Sequence, residues 1–192
     1  TLLRELPDLC GGLLDLDPRT DSAWDDVGAE LAVTGPERQV AWRNGQRYGF
    51  RLCPYAEVPA APPVPLDPAA AYLITGGTGA LGGQVARQLI ARGARHVYLL
   101  GRGRSAVDVS GWTQVEQIAV HTVVVDVTNE AALTGAWHAI HAEHPVKGVI
   151  HAAGALADGL LLEQDWPRFR QALDAKVLGA WHLHRLLRDQ PV

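Results

Sequence analysis

The sequence predicts an α/β protein built on a doubly wound parallel sheet, and three observations lead there. From Ala71 onward, short apolar runs of strand length alternate with longer segments whose apolar residues recur at helical spacing. A glycine-rich turn joins the first of those runs to the first helix. A proline-rich stretch sets this half apart from a first part with different patterning. Strands and helices alternating at these lengths make parallel strands joined by right-handed crossovers.

In the first part, residues 1–53, Gly12-Leu13-Leu14-Asp15-Leu16 reads as a strand, and Ser22 is placed to cap a helix running to about Val33. A hairpin follows. Val40 and Trp42 alternate with polar neighbours, Asn44-Gly45 is the pair that favours a type I′ turn, and Tyr48, Phe50 and Leu52 alternate on the return strand. This is too little chain to close a core of its own. Residues 54–70 contain six prolines, at 54, 59, 62, 63, 65 and 68, and read as an extended linker.

The second part, residues 71–192, opens with the strand Tyr72-Leu73-Ile74. A helix over 81–92 places Leu81, Val85, Leu89 and Ile90 on one face and ends at Gly93. His96 to Leu100 is the second strand and Ala119 to Val125 the third, with a short connection holding Trp112 between them. A helix over 129–143 carries Ala132, Leu133, Ala136, Trp137 and Ile140. Pro145 marks its exit before a fourth strand at Gly148 to Ala152. An amphipathic helix closes the chain.

Composition narrows the function. At 192 residues, with 47% hydrophobic and 20% charged residues, the chain is of globular type. A net charge of -4 and scattered arginines argue against nucleic acid as a partner. No apolar run reaches the roughly 20 residues of a membrane span, so a cytoplasmic protein is expected. Cys10 and Cys53 lack neighbours at metal-ligand spacing, so no metal is expected and both are read as buried free thiols. The chain has no methionine and reads as excised from a longer polypeptide.

The turn Thr75-Gly76-Gly77-Thr78-Gly79-Ala80-Leu81-Gly82 follows a strand and opens a helix, the context in which glycines at 76, 79 and 82 point to a phosphate loop. Glycines allow the tight turn and let backbone N–H groups approach a pyrophosphate, and the helix N-terminus adds partial positive charge. The competing reading is a turn with a packing role alone. No Lys-Ser or Lys-Thr follows, which argues against a P-loop nucleotidase. These features refine the fold to a Rossmann-type doubly wound sheet. Where an acid would hold the ribose of NAD, the chain has Gly101-Arg102-Gly103-Arg104, and a guanidinium at Arg102 matches the 2′-phosphate of NADPH; a solvated arginine is the alternative. Asp126 and the run Ala152-Ala153-Gly154 fall at the carboxyl ends of the third and fourth strands, where such folds bind ligands. Phe169, Leu173, Lys176, Ala180, Leu183 and Leu187 make an apolar stripe interrupted by one of only two lysines. Lys176 there is either functional or a snorkelling side chain.

With these residues in view, the chain resembles the ketoreductase domain of modular type I polyketide synthases, a complex-type member of the short-chain dehydrogenase/reductase family. The motifs are TGGTGALGG at 75–83, LLGRGR at 99–104, VVDVTN at 124–129, GVIHAAGALADGLL at 148–161 and DAKVLGAWHLHRLL at 174–187. GGLLDLDP at 11–18 and RQVAWRNGQRYGFRL at 38–52 look like the end of the truncated Rossmann-like structural subdomain that precedes the catalytic one.

The resemblance implies an NADPH site lined by Thr75, Gly76, Gly77, Thr78, Gly79, Leu81, Gly82, Arg102, Asp126, Val127, Ala152, Ala153 and Gly154, with Lys176 as the active-site lysine. It implies reduction of a β-ketoacyl thioester carried on the phosphopantetheine arm of an acyl carrier protein, with neighbouring synthase domains as further partners. Leu156-Ala157-Asp158 falls where members yielding the B-type (D-configured) alcohol carry Leu-Asp-Asp, with alanine in the middle position here. The family's catalytic serine and tyrosine lie beyond Lys176, and no tyrosine follows position 98, so the 192 residues alone are expected to be inactive. The connection after Arg102 also looks shorter than the family pattern. The alternatives are a non-catalytic reductase-like scaffold of a megasynthase and a fatty-acid synthase ketoreductase.

Overall fold

The computed structural model describes residues 2–19, 23–54, 62–103, 112 and 118–190. They form two compact units, one of residues 1–61 with 160–163, the other of residues 62–159 with 164–192.

The first unit contains α1 (Leu2–Glu5), β1 (Leu13–Asp15), α2 (Ala23–Leu31), β2 (Gln39–Arg43) and β3 (Gln46–Gly49). Its sheet has the order β1-β2-β3, with β1 parallel to β2 and β2 antiparallel to β3. The hairpin turns at Asn44 (φ 52°) and Gly45 (φ 71°), the pair of positive φ values that a type I′ turn requires. Phe50 and Leu52 correct the sequence reading. The ladder ends at the pair Val40 and Gly49, and β3 stops at Gly49, before either residue. Both side chains are exposed. The helix expected to run to Val33 stops at Leu31, and its expected cap, Ser22, lies outside the described residues.

Among the described apolar residues of this unit only Cys10 and Val40 are buried, so polar links carry much of its tertiary structure. Glu30 on α2 accepts from the Arg47 guanidinium at 2.7 and 2.9 Å and from the Trp42 indole at 3.0 Å. The hydrogen bond from Arg47, then that from Trp42, holds the Glu30 carboxyl down at about 2, against the opposing pull of desolvation. Cys53 is exposed, so the expectation of two buried thiols holds for Cys10 alone.

The second unit contains β4 (Ala71–Thr75), α3 (Ala80–Ala91), β5 (His96–Gly101), β6 (Ala119–Val124), α4 (Glu130–Glu143), β7 (Val146–His151) and α5 (Trp166–Leu187); the 3-10 turn Leu161–Glu163, between β7 and α5 in the chain, groups with the first unit. The strands are parallel in the order β6-β5-β4-β7. Central β4 is buried at every position, because both faces of the sheet are covered. Alternate residues feed two cores. Leu73, Tyr98 and Leu100 pack with Leu133, Trp137 and Ile140 of α4 and Leu183 of α5. Tyr72, Ile74, Val97 and Leu99 pack with Ala86, Val85 and Leu89 of α3. This is a doubly wound sheet of Rossmann type, as the alternation predicts.

Local signals set the helix ends. Asn129 caps α4 by accepting from the Ala132 amide at 3.1 Å, and Asp165 caps α5 by accepting from the Arg168 amide at 2.9 Å. Gly93 (φ 109°) ends α3 with a Schellman pattern, its amide bonded to the Ile90 carbonyl and the Ala94 amide to that of Leu89. The proline-rich stretch is anchored at its far end, where Leu66 packs on the second core and the Tyr72 hydroxyl accepts from the Asp67 amide at 2.8 Å.

Candidate functional site

The site is built at the carboxyl edge of the sheet, around the point where β4 and β7 diverge to helices on opposite faces. There the ends of β4, β5, β6 and β7 enclose a cleft of about 400 Å³. The strand order centres it where doubly wound sheets hold ligands.

Its floor is the turn from β4 into α3. Gly76 has φ 67°, and a Cβ there would lie 2.5 Å from the Ala152 carbonyl oxygen, so any side chain would collide with the β7 edge. A Cβ at Gly82 would lie 2.4 Å from the Gly76 oxygen, which lets the first turn of α3 sit directly on the loop. Gly79 caps the helix without a side-chain bond, so the first-turn amides of α3 have neither an intrahelical acceptor nor a capping side chain. Thr78 stands over Gly101, where a Cβ would be 2.4 Å from the Thr78 hydroxyl oxygen.

The far wall is the end of β6. The Thr128 amide and hydroxyl donate to Asp126 at 2.9 and 2.8 Å, closing an Asx turn. The bond from the Thr128 amide, with those from its hydroxyl and the charge of Arg102, holds the Asp126 carboxyl below its ordinary range, although burial opposes them. It is therefore an anion at neutral pH.

Of the residues singled out in the sequence, Gly76, Thr78, Gly79, Arg102, Asp126, Val127, Ala152, Ala153 and Gly154 line the cleft. Thr75, Gly77 and Gly82 sit behind it: Thr75 is fully buried, Gly77 packs against Ile74 and Leu99, and Gly82 packs against Gly76. Leu81 is 69% exposed and does not join the helix face expected of it. The buried residues of α3 are Gly82, Gly83 and Ala86, small residues that permit close approach, with Val85, Leu89 and Ile90 packed beside them as expected and Leu81 left outside.

Lys176 is exposed on α5, with its Cε 3.4 Å from the place a Cβ of Gly154 would take. The stripe through Lys176 is only partly the packed face of α5, because Phe169 and Ala180 are exposed and Gly179 and Leu183 are buried. Arg104 and most of the connection after it lie outside the described residues.

Sequence reasoning missed Thr128, which the Asp-x-Thr spacing of an Asx turn could have revealed, and Gln171, Asp174 and Ala175, which line the cleft from α5. Nothing local marks those three.

A parallel sheet in this order, with an uncapped glycine turn at its carboxyl edge, defines a dinucleotide-binding fold of the short-chain reductase kind. Within that class the chain belongs to the KR domain family, whose model matches residues 70–192. It is 39% identical over 130 residues to the spectinabilin polyketide synthase system protein NorB of Streptomyces orinoci, covering 65% of this chain and 6% of that protein. It is 34% identical over 192 residues to the erythronolide synthase EryA2 of Saccharopolyspora erythraea, covering 96% of this chain and 5% of that protein.

Among solved structures, the ketoreductase from the first module of phoslactomycin biosynthesis in Streptomyces sp. HK803 matches at 38% identity with a TM-score of 0.77, over 96% of this chain and 44% of that one. The first ketoreductase of the tylosin polyketide synthase matches at 35% identity with a TM-score of 0.78, over 98% of this chain and 41% of that one. The chain thus spans about 5% of these two synthase proteins and less than half of these ketoreductases. No helix among the described residues is long and apolar enough to cross a membrane.

Proposed function

We propose that this chain supplies the NADPH-binding part of a β-ketoacyl reductase domain in a polyketide synthase, acting on a thioester held by the phosphopantetheine arm of an acyl carrier protein. The observation that carries the reading is the cleft itself: the Gly76–Gly79 turn leading into the uncapped start of α3 at one side, Arg102 beyond β5 at the other, and no side chain at Gly76 or Gly79 to fill the space between. That donor set fits a pyrophosphate and a second, terminal phosphate better than a neutral ligand. NADPH bound there would supply hydride for reduction of the β-carbonyl to a β-hydroxyl.

The chain's own residues divide the work of binding. The α3 amides and helix dipole receive the pyrophosphate, Arg102 pairs with the 2′-phosphate, and Asp126 and Val127 border the adenosine half. Gly154 keeps the β7 end open beside Lys176, the position from which a lysine assists proton transfer in this family. Protonation of the new alkoxide needs a donor that the described tyrosines do not provide. Tyr72 and Tyr98 are buried in the sheet cores and Tyr48 belongs to the first unit. These 192 residues are therefore proposed to bind cofactor without turning over. Leu156 and Asp158 are exposed on the loop after β7, and the B-type product is proposed from the Leu156-Ala157-Asp158 run.

Fluorescence titration of the chain with NADPH and NADH tests the reading, using wild type and Arg102→Ala. Saturable binding that favours NADPH is expected. Arg102→Ala should weaken NADPH binding about 10- to 100-fold, the worth of a charge-assisted contact, and leave NADH binding unchanged. Absence of saturable binding, or an equal effect on both cofactors, would overturn it.

A further inference from the structure

The wall contributed by α5 raises a question of support. Its C-terminal half is anchored in the core by Leu183, Leu186 and Leu187. Its N-terminal half, which carries Gln171, Asp174 and Ala175 into the cleft, exposes Trp166 and Phe169 and has little apolar anchorage.

We propose that two histidines are positioning residues that hold this helix against the carboxyl edge of the sheet, in opposite ring tautomers, and so set the width of the cleft. That the cleft's width matters to binding rests on the cofactor reading above. His151, the last residue of β7, has Nε2 3.1 Å from the Ala175 carbonyl oxygen and Nδ1 2.6 Å from the Thr75 hydroxyl. A backbone carbonyl only accepts, so Nε2 carries the hydrogen, Nδ1 of the neutral ring accepts, and the Thr75 hydroxyl donates. Thr75 is fully buried and directly precedes Gly76. The bridge therefore runs from the root of the glycine turn, through the imidazole, to the turn of α5 that bears Ala175 and Lys176.

Two turns further along, His182 has Nδ1 3.0 Å from the carbonyl oxygen of Val127, which requires the hydrogen on Nδ1. Between the two rings, Gly179 forms a notch, where a Cβ would lie 2.8 Å from Val127 Cγ2 and 3.2 Å from His151 Cε1. Helix and sheet edge thus meet at a close approach flanked by two directional bonds. Thr75, expected from its motif to touch cofactor, acts in this arrangement from behind.

Nitrogen NMR of the ring resonances in the wild-type chain tests the tautomers without any substitution. The expected result is Nε2–H at His151 and Nδ1–H at His182. The reverse assignment, or averaged tautomers at either ring, would overturn the proposal.

Amide hydrogen exchange across residues 171–179 tests the positioning. Exchange is expected to quicken about five- to tenfold in His151→Phe and in the milder Thr75→Val, and to return toward wild type in His151→Gln, whose amide replaces the Nε2–H donor. NADPH affinity should fall and recover in the same order. Unchanged exchange in both His151→Phe and Thr75→Val would overturn the positioning role. If wild type fails to bind NADPH while exchange responds as expected, the cofactor reading falls and the positioning of α5 stands.

Discussion

Replacing Gly82 by alanine tests the glycine turn with a single methyl group. The new Cβ would sit 2.4 Å from the Gly76 carbonyl oxygen and 2.5 Å from Gly77 Cα, both backbone atoms with no rotamer to yield. Ordinary contact begins near 3.4 Å, so the turn must move off the helix by 1.0 Å (3.4 less 2.4). Overpacking of this kind costs about 1–3 kcal/mol. At about 2–4 °C per kcal/mol for a chain of this size, the melting temperature should fall by about 2–12 °C.

The same displacement carries the Gly76 to Gly79 backbone away from the α3 amides. NADPH affinity should therefore drop by about tenfold or more, the loss of at least one charge-assisted hydrogen bond. Gly135→Ala is the control. It lies inside α4 with nothing within 4 Å of its added Cβ, so it should stabilise by about 0.5–1 kcal/mol and leave NADPH binding unchanged. Differential scanning calorimetry with NADPH titration reads both variants. A Gly82→Ala protein that melts and binds like wild type would refute the close-approach reasoning.

Two further outcomes follow from the packing and the charges. The Glu30 carboxyl is held at about 2 by Arg47 and Trp42, below its ordinary 4.5; its contribution to the first unit is therefore complete above pH 4.5 and is lost as pH falls toward about 2. The Trp42 indole N–H resonance should titrate with that low midpoint, and a midpoint near 4.5 would contradict the ion pair. Trp137→Ala empties the largest fully buried side chain of the α4 core, so it should cost about 3–5 kcal/mol and lower the melting temperature by about 6–20 °C; a smaller fall would show that the core collapses to fill the cavity.

Much of the fold was legible because its signals are local. The buried run 71–75, the Asn44-Gly45 turn and Gly93 each encode their geometry in one or two residues. The errors arose where tertiary contact decides. Leu81 has the right spacing for the face of α3, yet the helix docks through Gly82, Gly83 and Ala86 and turns the leucine to solvent. Phe50 and Leu52 alternate correctly but lie past the last pair of the ladder, Val40 with Gly49.

The candidate site divides the same way. Strand ends and the glycine turn are marked in sequence. Gln171 and Asp174 reach the cleft only because α5 crosses it, with Gly179 and His182 of that helix meeting His151 and Val127, residues far from them in sequence. The stripe through Lys176 misjudged the packed face for the same reason: small residues made the contact.

Binding of NADPH at the carboxyl edge of the β6-β5-β4-β7 sheet is tested most directly by amide chemical-shift mapping of the chain during NADPH titration. Saturable shifts confined to Gly76–Gly79, Gly101–Arg102, Asp126–Thr128, Ala152–Ala155 and the facing turn of α5 are the predicted result. Saturable shifts centred elsewhere, or none at all, would contradict it.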